Sequence, residues 1–338
     1  MTVWVYVPIV LSAALALLAR PIAAGSAPAA AARALARAAL IAAVTSTASL
    51  ILLVATLLDR LPPPLVARNE PGRPRLPEPV PDVVAITAVV LLMIALVRYG
   101  VDVRRRDAVH RGLRAAGRPG DDGVVVADWA APFAVAIPGR PGHVLLTTGM
   151  IRLLTADERR VVLAHERAHL ARRHHRLIAM ASTAAALNPI LLPARDAVSY
   201  LVERWADEEA ATEVGDRHLT ARSVAKAALA TLDRPVAAAV PATGPRHDRT
   251  AGAAGDAAAH ALAGPGGARG PQTPGVAGMH GSRPGHALGR VRAMTDPAVT
   301  TRRTRAGLIA LGLLSLAFVL TDAVAATDFV VFATAWMP

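Results

Sequence analysis

The stretch Thr155–His175, TADERRVVLAHERAHLARRHH, decides how the rest of the chain is read. It predicts one long helix. Thr155 followed three residues later by Glu158 is a capping box, in which each side chain satisfies a backbone N–H at the helix start, and no proline interrupts the residues up to His175. Val161, Val162, Leu163, Ala164, Ala168 and Leu170 form an apolar face, while Arg159, Arg160, Arg167, Arg172 and Arg173 take much of the remainder. Inside the stretch, His165, Glu166 and His169 make the pattern H-E-x-x-H. Residues four apart on an α-helix are separated by ~40° around the axis and ~6 Å along it. Both imidazoles therefore project from one face and grip one ion, with Glu166 beside them. A zinc site needs neutral imidazoles on rigid backbone, and a neighbouring carboxylate to take a proton from activated water.

A third protein ligand is required, and two candidates present themselves. His175 stands at the position used by H-E-x-x-H-x-x-G-x-x-H sites, but the glycine that turns the chain back there is Arg172 here. On a continuous helix His175 lies ~240° around the axis from His169, on the wrong side. Glu203, in the helical segment Tyr200–Asp207, is the better candidate. Glu203 and Asp207 share a face at i and i+4, so one carboxylate ligates while the other accepts the second ring N–H of a ligand histidine and fixes its tautomer.

His165-Glu166-x-x-His169 with Glu203-x-x-Ala206-Asp207 resembles the gluzincin peptidases embedded in bacterial membranes, most closely the BlaR/MecR antirepressor type, with HtpX and the CAAX prenyl proteases as more distant relatives. The likeness extends upstream through Phe133–Gly139 and His143–Met150 and downstream to about Leu232. It implies one Zn²⁺ held by His165, His169 and Glu203, Glu166 as general base, Asp207 as orienting group, and a protein or peptide substrate. It also implies an exposed edge strand that binds extended peptide, for which Val144, Leu145, Leu146 and Thr147 are the candidates. Arg217 and His218 are lesser candidates for an electrophile at the tetrahedral intermediate.

Composition points to the membrane. The 338 residues are 53% hydrophobic with mean hydropathy +0.39, above the ~45 to 50% of soluble domains. Apolar runs near residues 3–19, 38–58, 80–97 and 306–326 approach the ~20 residues that cross a bilayer, and Trp4, Tyr6, Tyr99 and Trp336 lie near their ends. The first run has no basic residues before it and Arg20, Arg33 and Arg37 after it, the charge order of an uncleaved span with its N-terminus outside. The basic loop of residues 20–37 and Arg98 with Arg104–Arg106 read as cytoplasmic, and the charge-balanced, Pro-rich loop of residues 59–82 as outward. Both termini are then outside and the motif domain cytosolic. Net charge +12 with few aromatics and no recognised motif excludes nucleic acid as partner; the heaviest arginine runs flank spans, where anionic lipid explains them. With no cysteine, thiolate ligands and disulfides are excluded.

The predicted fold is mainly α: a multi-pass helical membrane protein with a cytosolic, zincin-like α+β metalloprotease domain. Residues 1–98 form a three-span region and 99–234 the peptidase domain, with short strands at 123–127, 133–137 and 143–147 ahead of the motif helix. Residues 177–192 read as a buried helix packing behind the site or dipping into the bilayer, Gly215 as the end of the Glu203 helix, and 220–232 as another helix. Residues 235–295 read as a disordered Pro/Gly/Ala-rich linker, with a short returning helix near 287–294, and 296–338 as the fourth span with a short outward tail. His247, His260, His280 and His286 are too scattered for a metal site. The BlaR-type resemblance implies proteolysis of a cytosolic repressor, with membrane-protein quality control as the alternative. BlaR-type relatives carry a ligand-binding domain after the last span; with the chain stopping at Pro338, a signal is expected through the spans, the outward loop or a sensory partner protein. A catalytically silent sensor is disfavoured by the intact Glu166, and an ion transporter by spans almost free of ionisable residues.

Overall fold

A computed structural model of the chain describes residues 3–56, 81–232, 284–295 and 301–334. Four helices in it are long and apolar enough to cross a membrane: α1 (Val7–Gly25, preceded by a 3-10 turn Val3–Tyr6), α2 (Pro28–Ala55), α3 (Asp82–Arg114) and α10 (Thr301–Thr334). Each overruns its apolar core, so the basic loop expected at 20–37 shrinks to the turn at Ser26–Ala27, with Arg20, Arg33 and Arg37 on helices. The pattern inside α2 explains its place. Ala31, Ala32, Leu35, Ala36, Ala38, Ala39, Ala42 and Ala43 are all fully buried, which leaves no single stripe but a helix enclosed on several sides. Small side chains let its neighbours approach closely. By contrast Val83, Ile86, Met93, Val97, Ile309 and Leu313 stand exposed on α3 and α10, the expected faces for lipid.

Three strands come next: β1 (Val124–Ala127), β2 (Ala134–Ile137) and β3 (His143–Thr147). Their order is β1-β3-β2, with β1 parallel and β2 antiparallel to β3. The edge-strand expectation for Val144–Thr147 is therefore corrected, because β3 is the central strand and both its edges are paired. Thr147 also has its hydroxyl committed, donating to Ala131 O (2.7 Å) and accepting from Phe133 N (2.9 Å). Among the described residues, the strand whose outer edge has no neighbouring strand on the side of the motif helix is β2.

A short helix α4 (Thr148–Leu153) leads to α5 (Ala156–Ala171), then α6 (His174–Leu187), a 3-10 turn Pro189–Leu191, α7 (Leu192–Val214) and α8 (Arg217–Leu232). The single helix expected over 155–175 is thus two. Arg172 caps α5 and Arg173 adopts the left-handed conformation (φ 53°), reversing the chain before His174. Gly215 ends α7 with φ 76°, a value that suits glycine. The α6–α7 hairpin is wedged among the membrane helices and shares one core with α1, α2 and α10 through Ile178, Leu191, Val198, Leu201 and Phe318. At its tip, Asn188 Nδ2 donates to Ser12 Oγ on α1 (3.0 Å) and Ser46 Oγ on α2 (3.1 Å). On the other side, Arg98 donates to the carbonyls of Ala185 and Ala186, and Arg106 to Ala179 O and Thr183 Oγ1. Two arginines assigned to lipid by composition thus cap and staple α6.

Helix α9 (Pro284–Thr295) packs against α7 and α8. It is the short returning helix expected near 287–294, beginning three residues earlier at Pro284. The rest of 235–295, the Pro-rich loop of residues 59–82 apart from its last two residues, Trp336, and His247, His260 and His280 lie outside the described residues.

Candidate metal centre

The capping box that opens α5 is formed by both of its bonds: Thr155 N–H donates to Glu158 Oε2 (2.9 Å) and Glu158 N–H to Thr155 Oγ1 (3.3 Å). Lys226 of α8 fixes the same carboxylate at 2.7 Å. From that start two turns of buried Val161, Val162 and Ala164 carry the helix into the core, so His165, Glu166 and His169 arrive fully buried rather than on a surface. Helix α7 crosses beside it and brings Glu203 and Asp207 to the same place.

Three donor groups converge. His165 Nε2 and His169 Nε2 are 3.1 Å apart, and Glu203 lies 3.5 Å from the first through Oε2 and 3.6 Å from the second through Oε1. Ligands at ~2.0–2.1 Å from a tetrahedral zinc stand about 3.4 Å from one another, so the triangle has the size that ion requires. The opposite ring atoms face other partners: His165 Nδ1 lies 3.1 Å from Asp207 Oδ1, and His169 Nδ1 lies 3.0 Å from His174 Nδ1. Protons on those Nδ1 atoms leave both Nε2 lone pairs directed at one point, an arrangement that suits a cation. Charge agrees with geometry. With both imidazoles neutral, as ligands must be, Glu166, Glu203 and Asp207 against the guanidinium of Arg290 leave an excess of two negative charges in a buried space, the complement of a dication.

The titrations have their causes in the same contacts. Burial alone would depress His165, but Asp207 and Glu203 outweigh it and hold its pKa up at about 9; of the two, Glu203 faces the nitrogen that would ligate a metal and Asp207 the opposite one. Burial takes His169 well below the usual imidazole range, with Glu203 opposing and His165, His174 and Arg290 adding to the shift. Burial likewise takes His174 down to about 3, so it stays a neutral acceptor. Glu203 and Asp207, though penalised by burial, are held below the ordinary carboxylate range by Arg290 and His165.

Two residues of this centre were not anticipated from the sequence. Arg290 of α9, completely buried, donates through Nε to Asp207 Oδ2 (2.8 Å) and through Nη2 to Oδ1 (2.6 Å), and its Nη1 lies 3.0 Å from Glu203 Oε2. Its signal was legible as a cation in the apolar register Ala287, Arg290, Val291, Met294. His174 is the other. It is stacked on Trp205 (ring centroids 4.5 Å), which is covered by the Arg33 guanidinium of α2 at 4.4 Å, so a membrane helix buttresses a candidate ligand through two intervening rings. Replacing a metal-orienting partner typically costs 10- to 100-fold in affinity. His174→Ala is expected to weaken zinc about tenfold or more, and His174→Asp to recover most of that by accepting the His169 Nδ1–H; competition with a fluorescent chelator measures both.

Other expected residues are placed elsewhere. His175 does not join the cluster; it lines a basic cavity on the far side of the α5–α6 break. Arg217 is bound to Glu208 (2.7 and 2.8 Å) and to Met294 O (2.6 Å), and His218 is exposed. Neither reaches the metal cluster. Glu166 does not contribute to the triangle of donors either: its Oε2 accepts the N–H of Ala136 on the outer edge of β2 at 2.8 Å. Base, metal ligands and unpaired strand edge thus meet in one place.

No curated relative and no solved structure matches the chain. The profile of peptidase family M48 matches residues 102–294, more than half the chain, from the last turns of α3 through Arg290. With the spacing of His165, Glu166 and His169 on α5, the acidic pair on α7 and four membrane-length helices around them, the chain belongs to peptidase family M48, a family of metallopeptidases.

Proposed function

We propose that the chain is an integral-membrane zinc endopeptidase in which His165, His169 and Glu203 hold the ion. The observation that carries this is the triangle of two Nε2 atoms and one carboxylate, 3.1 to 3.6 Å on a side, with Glu166 adjacent to it and left out of it. When bound, zinc supplies a Lewis acid that acidifies water and polarises a carbonyl. The protein's own groups do the rest. Glu166 takes the proton of the attacking water and returns it to the leaving nitrogen. Asp207, clamped by Arg290, keeps a proton on His165 Nδ1, and His174 keeps one on His169 Nδ1, so both Nε2 atoms stay free to ligate. The outer edge of β2 pairs with an extended substrate segment; Ala136 N–H, bound to Glu166 in this structure, is released as the peptide takes its place. The purified chain loaded with zinc should degrade an unstructured protein such as β-casein, lose that activity to a chelator, and regain it with added zinc. A metal-loaded chain without hydrolysis would overturn the reading.

The arginines after the apolar part of α3 support a cytosolic peptidase domain with both termini outside. A reporter fused near Gly120 should behave as cytoplasmic and one after Pro338 as external; the reverse would remove cytosolic substrates from consideration. Cleavage of a cytosolic repressor, as the BlaR/MecR likeness implies, with a sensory partner, is the leading biological reading. Membrane-protein quality control is the second, favoured by the core that the α6–α7 hairpin shares with the spans.

A further inference from the structure

Where β2 ends, the chain enters the turn Pro138–Gly142, and this turn closes one side of a cavity of 770 Å³. Its other walls are the last turns of α3, with Asp107, His110, Arg111 and Arg114, and the start of α6, with His175; Arg140 projects from the turn itself. Three arginines and two histidines therefore surround a space to which the described residues contribute a single carboxylate. The walls are fixed to one another. Arg114 donates to Pro138 O, and Gly139 sits so close to it that a Cβ there would come within 2.5 Å of the guanidinium and 2.7 Å of Pro141 O. Arg111 and Arg140 are exposed, and neither forms an ion pair among the described residues.

The cavity lies on the line a substrate would take. Ala136 marks the reacting point through its bond to Glu166, and Pro138–Arg140 come two to four residues later. An extended chain rises ~3.3 Å per residue, so the turn lies no more than about 13 Å along the chain from that point, within reach of a side chain two to four residues from the scissile bond. Lipid is the poorer occupant. Arg111 is fourteen residues beyond Val97 on a continuous helix, ~21 Å past the end of the apolar run, where a headgroup does not reach.

We propose that this cavity is a specificity subsite that takes an acidic side chain of the polypeptide substrate, held by Arg111 and Arg140 against the positive wall of Arg114. The proposal rests on the peptidase reading, and the test separates the two. Internally quenched peptides of one scaffold, with Glu, Gln or Lys at successive positions, are given to the zinc-loaded full chain in detergent. Glu should be favoured over Gln by about five- to tenfold in kcat/KM at one position two to four residues from the cut, and the double variant R111E/R140E should favour Lys there. That gain of a new preference is not something a misfolded variant produces. Equal rates for Glu, Gln and Lys at every position, or an unchanged preference in the double variant, would overturn the subsite. Anisotropy of labelled Glu and Lys peptides on the zinc-loaded Glu166→Gln chain reads the same preference without turnover. If wild type cleaves nothing, the peptidase reading fails while that binding measurement still judges the cavity. Should R111E/R140E keep its peptide profile and lose binding to phosphatidylserine vesicles instead, the site is a lipid site and the proposal is wrong.

Discussion

Glu166→Gln should retain a full complement of zinc and lose hydrolysis by about 10²- to 10⁴-fold, the usual worth of a positioned general base. The separation comes from where the side chain sits. Its Oε2 is engaged with Ala136 N–H at 2.8 Å and neither oxygen belongs to the donor triangle, so all three ligands stay in place when the charge goes. A glutamine is isosteric and its amide oxygen still accepts from Ala136, so β2 and α5 stay joined. Glu203→Ala is the contrast: it removes one corner of the triangle, and metal and activity should fall together. Zinc analysis beside peptide hydrolysis distinguishes the two. Full zinc in Glu203→Ala, with loss in His175→Ala, would move the third ligand to His175 despite its place outside the cluster. The inactive Glu166→Gln chain also serves as a trap. Captured cut sites confined to juxtamembrane segments would sink the repressor reading in favour of quality control.

What the sequence disclosed and what it hid divide along physical lines. H-E-x-x-H, the capping box, the acidic pair on α7 and the short β-branched runs are local patterns, and local geometry is what periodicity encodes. The strand positions came out within a residue, yet their order did not. Which strand is central depends on pairing across the chain, and β3 has no residue that marks it as such. The break after Ala171 was hidden because the left-handed residue is Arg173, not glycine or asparagine, and with the break unseen His174 pointed away from His169. Arg290 was hidden by distance: it joins Asp207 from 83 positions along the chain. Only its anomalous place in an apolar register offered a hint, and a lone arginine in an Ala- and Gly-rich segment is more often solvated.

Arg290→Met should be the most destabilising single change at the site that leaves every candidate ligand in place. The guanidinium touches Asp207 at 2.8 and 2.6 Å and Glu203 at 3.0 Å, and is itself fully buried. Methionine fills a similar volume, so little cavity is created. What is lost is the charge that lets two carboxylates stay ionised out of water, and breaking a buried pair in this way costs about 3–5 kcal/mol. Zinc offsets part of this by binding Glu203, so thermal unfolding should show a larger loss for metal-free than for zinc-loaded protein. Arg290→Lys should rescue little, since a single ammonium cannot reproduce the two-pronged contact with Asp207 while also reaching Glu203. The double change Asp207→Asn with Arg290→Met removes a charge on each side of the contact. It should be less destabilised than the sum of the single variants by about 1–3 kcal/mol, the coupling expected of residues in one ionic network. Strict additivity, or a Met variant as stable as wild type without metal, would mean that Arg290 fills space rather than holding charge, and that the orientation of Asp207 toward His165 is secured by α7 alone.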